Sequence, residues 1–184
     1  MTSPIVSDWF GEDFQKLHPL LQALHRHGGK LSGVVHIEVP KGLGGFVGRR
    51  LAEKLGVPTN GVEHHLEVDI SHRNGYLLWE RCFDGKQRMT SLFRPIGNKS
   101  DGYWLEETGP ISMALTVDCP DGGWHWRCLV IRIYKMRLPM WFFPQSKAYK
   151  LIEDGKYRFY VGFSLPIIGP VLSYSGKLTH SLAN

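Results

Sequence analysis

From Gly61 onward the chain is built almost wholly of short alternating runs separated by turn residues, which leaves little room for helices. Leu66, Val68 and Ile70 alternate with Glu63, His65, Glu67 and Asp69, the two-residue period of a half-buried strand. Asn74-Gly75 is a strong hairpin signal, because both residues tolerate the positive φ of a two-residue turn. Asp84-Gly85, Gly109-Pro110 and Asp154-Gly155 punctuate the chain in the same way. Between them lie strand-like runs at Tyr76–Phe83, Gln87–Phe93, Tyr103–Thr108, Ile111–Val117, Trp124–Met136, Ala148–Glu153 and Lys156–Leu165, with Val171–Leu178 last. Connections this short force neighbouring strands antiparallel. A long meander curls or closes, because an open sheet exposes unpaired edges. The expected fold is α+β and mostly β: one strongly curved, calycin-like antiparallel sheet or barrel of about nine strands.

Two helices precede or interrupt the strands. Phe10, Phe14, Leu17, Leu21 and Leu24 recur at spacings of three and four, which predicts a helix over Asp8–His27, with Pro19 marking a break near His18. Gly28-Gly29 stops it, and His25-x-His27 reads as its exposed basic end. Leu31–Val39 alternates as a strand. Phe46, Val47, Leu51 and Leu55 then predict a short helix ending at Gly56. The two helices are expected to cover an end or a face of the sheet. The final strand-like run leaves six residues after Leu178, which argues against a long closing helix across the sheet.

The 184 residues, 42% hydrophobic and 21% charged, suit one domain spanning 1–184. The net charge of +5 is spread with no basic run longer than two, which argues against nucleic acid. Cys82, Cys119 and Cys128 form no C-x-x-C pair, as expected for reduced thiols in a cytoplasmic protein. The N-terminus has neither a basic nor a long apolar segment of the signal-peptide kind.

Several patterns resemble chemistry. Gly42-Leu43-Gly44-Gly45-Phe46-Val47-Gly48 follows a strand and opens a helix, like a dinucleotide-binding turn, but Val47 stands where the third glycine belongs. Adjacent His64 and His65 point to opposite faces of a strand, and Glu63, His65, Glu67 and Asp69 read as a solvated face, so no metal site or cofactor is expected. Trp79, Arg81 and Phe83 share one strand face. If that face is internal, Arg81 needs a partner such as Glu106, Glu107 or a ligand carboxylate. Trp124, Trp126, Cys128, Val130, Arg132 and Tyr134 share one face of the longest run, with His125, Arg127, Leu129, Ile131 and Ile133 on the other. The apolar run Leu138–Phe143, flanked by Lys135, Arg137 and Lys147, either plugs a barrel end or dips into an anionic membrane surface; the plug is the simpler reading. No nucleophile elbow, zinc spacing or P-loop occurs, and no catalytic residue stands out.

The Trp79-Glu-Arg-Cys-Phe83 run, Tyr103-Trp-Leu-Glu-Glu-Thr-Gly-Pro110, Arg137-Leu-Pro139 and the closing Leu165-Pro-Ile-Ile-Gly-Pro170 with Tyr174-Ser-Gly-Lys-Leu178 resemble the bacterial domain of unknown function 4166 family. The resemblance spans roughly Phe14 to Leu178. It implies a domain that stands alone or is fused behind reductases similar to saccharopine dehydrogenase, and hence a possible reductase partner. It implies no activity and carries over no catalytic residue. The leading expectation is a small hydrophobic or amphipathic ligand in the cup of the sheet, with Trp79, Arg81, Phe83, Arg132 and Tyr174 as its contacts. The alternatives are a cyclase-, isomerase- or hydrolase-type enzyme using a buried Glu or His in that cavity, and a peripheral membrane or protein-interaction module using Leu138–Phe143.

Overall fold

The computed structural model describes residues 5–137 and 147–182. The run Leu138–Phe143 therefore lies outside the described residues. No helix among those described is long and apolar enough to cross a membrane.

The strands are β1 (Gly29–Glu38), β2 (Glu63–Arg73), β3 (Tyr76–Phe83), β4 (Gln87–Ile96), β5 (Tyr103–Thr108), β6 (Ile111–Asp118), β7 (Trp124–Ile133), β8 (Met136–Arg137), β9 (Lys147–Glu153), β10 (Lys156–Leu165) and β11 (Gly169–Leu182). They form one antiparallel sheet ordered β6-β5-β4-β3-β2-β1-β11-β10-β9-β7-β8, and β6 also pairs with β7. That pairing closes a barrel of 10 strands and leaves only the two-residue β8 outside. Closure removes the sheet edges that a meander would otherwise expose. The seam is uneven. β7 meets β6 from Ile111↔Ile133 to Asp118↔His125, but meets β9 only at Trp124↔Lys150, His125↔Tyr149 and Trp126↔Ala148.

The turn chemistry works as the residue types require. Asn74, Asp84 and Asp154 have φ of 50°, 51° and 52°, each followed by a glycine with φ of 67° to 80°. Inward residues then follow with period two: Leu66, Val68 and Ile70 on β2, Leu77, Trp79 and Phe83 on β3, Tyr157, Phe159 and Phe163 on β10. Burying each large apolar side chain contributes about 1.5–3 kcal/mol.

The long run Trp124–Met136 is not one strand. A bulge shifts the β6–β7 register from Ala114↔Val130 to Leu115↔Cys128, skipping Leu129. The extra residue exchanges the two faces. Ile131, not Val130, is therefore in the core, and Arg132 faces away from it. Tyr134 and Lys135, with φ of 49° and 68°, then fold β8 back on β7.

The N-terminal helix is likewise divided into α1 (Ile5–Phe10), a 3-10 turn (Gly11–Lys16) and α2 (Pro19–His27). Proline 19 sits at the first turn of α2, where its missing N–H costs nothing, and His18 Nδ1 accepts from Leu20 N at 3.1 Å. This segment closes one end of the barrel. Trp9 Nε1 donates to Ile96 O, Lys99 N donates to Trp9 O, and His18 N donates to Gly122 O, so it is fastened to loops at that end. Phe10, Leu21 and Leu24 drive inward.

The third helix, α3 (Gly42–Leu55), lies at the opposite end against β11. Its glycines make that approach possible: a Cβ on Gly48 would stand 1.8 Å from Val171 O. The glycine-rich run that superficially fits a dinucleotide turn is thus a packing surface for a helix that begins four residues earlier than Phe46.

Candidate functional site

The barrel interior is not wholly apolar. Inward positions on β3, β4, β5 and β9 bring Arg81, Ser91, Glu106, Thr108 and Lys150 into it, and α2 adds His25. His25, Ser91, Glu106, Thr108 and Lys150 are all buried. Buried polar groups persist where they satisfy one another, and here two short chains do so.

The first chain joins Arg81 to Glu106 through hydroxyls. Arg81 donates to Ser91 Oγ at 2.8 Å, Ser91 Oγ and Thr108 Oγ1 are 2.6 Å apart, and Thr108 donates to Glu106 Oε1 at 3.1 Å. Arginine can only donate and a carboxylate only accept, so the hydroxyl protons run from Ser91 to Thr108 to Glu106. Burial pushes the Glu106 carboxyl above its usual range, while Arg81 and the two hydroxyls oppose that rise.

The second chain joins Lys150 to α2. Lys150 Nζ lies 2.6 Å from His25 Nε2, and His25 Nδ1 lies 2.7 Å from Leu21 O. A carbonyl oxygen accepts only, so Nδ1 carries the imidazole proton. Burial, then the neighbouring Lys150, hold His25 well below its ordinary value, so Nε2 is a free acceptor and Lys150 donates to it. Three indoles surround the amine: the Trp124 centroid is 4.0 Å from Nζ, Trp79 4.5 Å and Trp126 5.5 Å. His25 stacks on Trp124 at 4.4 Å. Burial, then the Arg81 charge, push the Lys150 amine well below its ordinary range, against the pull of Glu106.

A cavity of about 60 Å³, room for a few water molecules, adjoins these groups. Arg81 and Lys150 line it, with Trp79, Phe93, Trp126, Tyr157, Phe159 and Tyr174 among its aromatic walls. Glu106 and His25 are not among the lining residues; Glu106 connects to Arg81 through the two hydroxyls, and His25 is hydrogen-bonded to Lys150. The Trp79 and Trp124 indole N–H groups are buried with no hydrogen-bond partner among the described residues.

Of the residues singled out from sequence, Trp79, Arg81 and Tyr174 come together on this cavity. Phe83 is buried beside it, its ring 6.4 Å from Tyr174. Arg132 does not join them, because the bulge at Leu129 turns it outward. Arg81 finds Glu106 through Ser91 and Thr108. His25 is fully buried, not an exposed helix end. It lies four residues after Leu21, on the apolar stripe of α2, and that spacing was the available signal. Lys150 was also legible in principle, since it shares a strand face with Ala148 and Ile152. His64 and His65 do part company across the strand: His64 is buried with Nδ1 2.7 Å from Asp84 Oδ2, and His65 is exposed. Among the described residues no cluster of His, Cys, Asp or Glu has the makings of a metal site.

The fold and its interior define a closed β-barrel with a small internal cavity lined by a guanidinium, an amine and aromatic rings. The family described as domain of unknown function (DUF4166) matches residues 17–178, and the chain belongs to that family. No curated protein matches it.

Proposed function

We propose that the barrel binds a small amphipathic molecule, its polar oxygen-bearing head toward Arg81 and Lys150 and its apolar part against Phe93, Trp126 and Phe159. One observation carries this reading: two nitrogen donors, the Arg81 guanidinium and the Lys150 amine, belong to one aromatic-walled cavity whose lining, among the described residues, includes no carboxylate. Glu106, the buried carboxylate behind them, is engaged by Thr108. A desolvated donor gains most from a matched acceptor, so an anionic or carbonyl head is the complement such a wall selects. The cavity size favours a compact occupant over a long acyl chain.

The cage tryptophans supply the assay. Butanoate and butan-1-ol titrated into the protein are expected to change tryptophan fluorescence saturably, and Arg81→Met to weaken butanoate more than butan-1-ol. Native mass spectrometry of the freshly purified protein is expected to show a discrete small-molecule adduct. A bare protein whose fluorescence neither compound changes overturns the reading.

A further inference from the structure

We infer that Lys150 is a carbonyl-reactive amine, and that the cavity holds small aldehydes or ketones as a reversible imine on its Nζ. The inference rests on the cavity-binding reading above and names the substrate class for it.

Burial separates Lys150 from the other lysines: it is buried, and each of the others is exposed or half-buried. Lys16 and Lys99 pair with Asp13, and Lys177 pairs with Glu153 and Asp154. Those partners hold a lysine as an ammonium ion, which has no lone pair to attack with. Lys150 has no ion pair among the described residues. It meets an imidazole nitrogen and three indole rings, and its side chain lines the cavity. A buried amine without a counter-charge sheds its proton, and burial depresses Lys150 accordingly. His25 Nε2, already hydrogen-bonded to Nζ and kept aprotic by the Leu21 carbonyl on the opposite ring nitrogen, is placed to take a proton from it.

The step balances without any further reagent. The Nζ lone pair forms a C–N bond to the carbonyl carbon, and the C=O π pair moves to oxygen. Both amine hydrogens leave with that oxygen as water, one of them passing through His25 Nε2, and a C=N bond remains. Arg81 lines the same cavity, where its guanidinium stabilises the oxygen as negative charge develops.

The test uses butanal with sodium cyanoborohydride at pH 7, read by intact mass and peptide mapping, alongside butan-1-ol as a probe of the same length that forms no imine. An ordinary exposed lysine is unprotonated in roughly one molecule in a few thousand at pH 7. Lys150 is therefore expected to take a single butyl group at least about tenfold faster than any exposed lysine. His25→Gln is expected to slow that labelling while leaving the butan-1-ol fluorescence response in place. Lys150→Met abolishes the fast adduct. The labelling of the wild type decides the matter even if a variant fails to fold. If butan-1-ol changes the fluorescence but butyl groups fall only on exposed lysines, the imine is refuted and the binding reading stands. If neither compound enters, both readings fall.

Discussion

Lys150→Met tests the electrostatics of the barrel interior directly. Methionine keeps the length and apolar stem of lysine and removes the amine, so the three-indole cage stays filled. The variant loses one hydrogen bond to His25, worth about 1 kcal/mol. It also loses a depressed amine, and this has a pH signature. Below the ordinary value of 10.5 the unfolded chain binds a proton at Lys150, while the folded amine, held well below that value by burial, does not. The unfolded state then binds more protons, so Lys150 makes wild-type stability rise with pH, by about 1.4 kcal/mol per pH unit while the folded amine stays neutral. The penalty is absent above 10.5 and grows as pH falls. Denaturant melts of both proteins at pH 6.5, 7.5 and 8.5, followed by tryptophan fluorescence, measure the difference. The advantage of the variant over wild type should shrink as pH rises, by at most about 1.4 kcal/mol per unit. Parallel curves would mean that Lys150 carries the same proton folded and unfolded, and the neutral-amine argument would fall with them.

Arg81→Met should destabilise the protein by about 1–3 kcal/mol, because Ser91, Thr108 and buried Glu106 lose the donor that starts their chain. Adding Glu106→Gln should recover part of that loss, and a double-mutant cycle of denaturant melts with no coupling would break the proposed chain. Trp124→Ala should cost about 3–5 kcal/mol, since the ring is fully buried against Phe10, His25 and Lys150; thermal or chemical melts give the value. Gly48→Ala should cost about 1–3 kcal/mol by pushing α3 off Val171 O, and hydrogen exchange should rise across α3 while the strands far from it hold.

Period-two alternation and turn chemistry act over a few residues, so most strands were legible from the chain alone: Tyr76–Phe83, Tyr103–Thr108 and Lys156–Leu165 coincide with those observed. Asn74, Asp84 and Asp154 mark turns because positive φ is a local property. Trp79 and Arg81 share a face by the same local rule, and Tyr174 falls on the final strand. Closure was different. The bulge at Leu129 depends on how β7 must pair with β6, and no residue type in that run announces it. That one skipped residue sent Arg132 outward, away from the face it shares by strict alternation with Trp124. Only the tertiary structure joined Lys150 to His25, 125 positions apart, because the strand and helix that carry them meet only once the barrel is closed and capped. The environment of an ionisable group is set by what surrounds it in space, so a lysine that reads as ordinary in the chain becomes, inside the barrel, a desolvated amine in a cage of indoles.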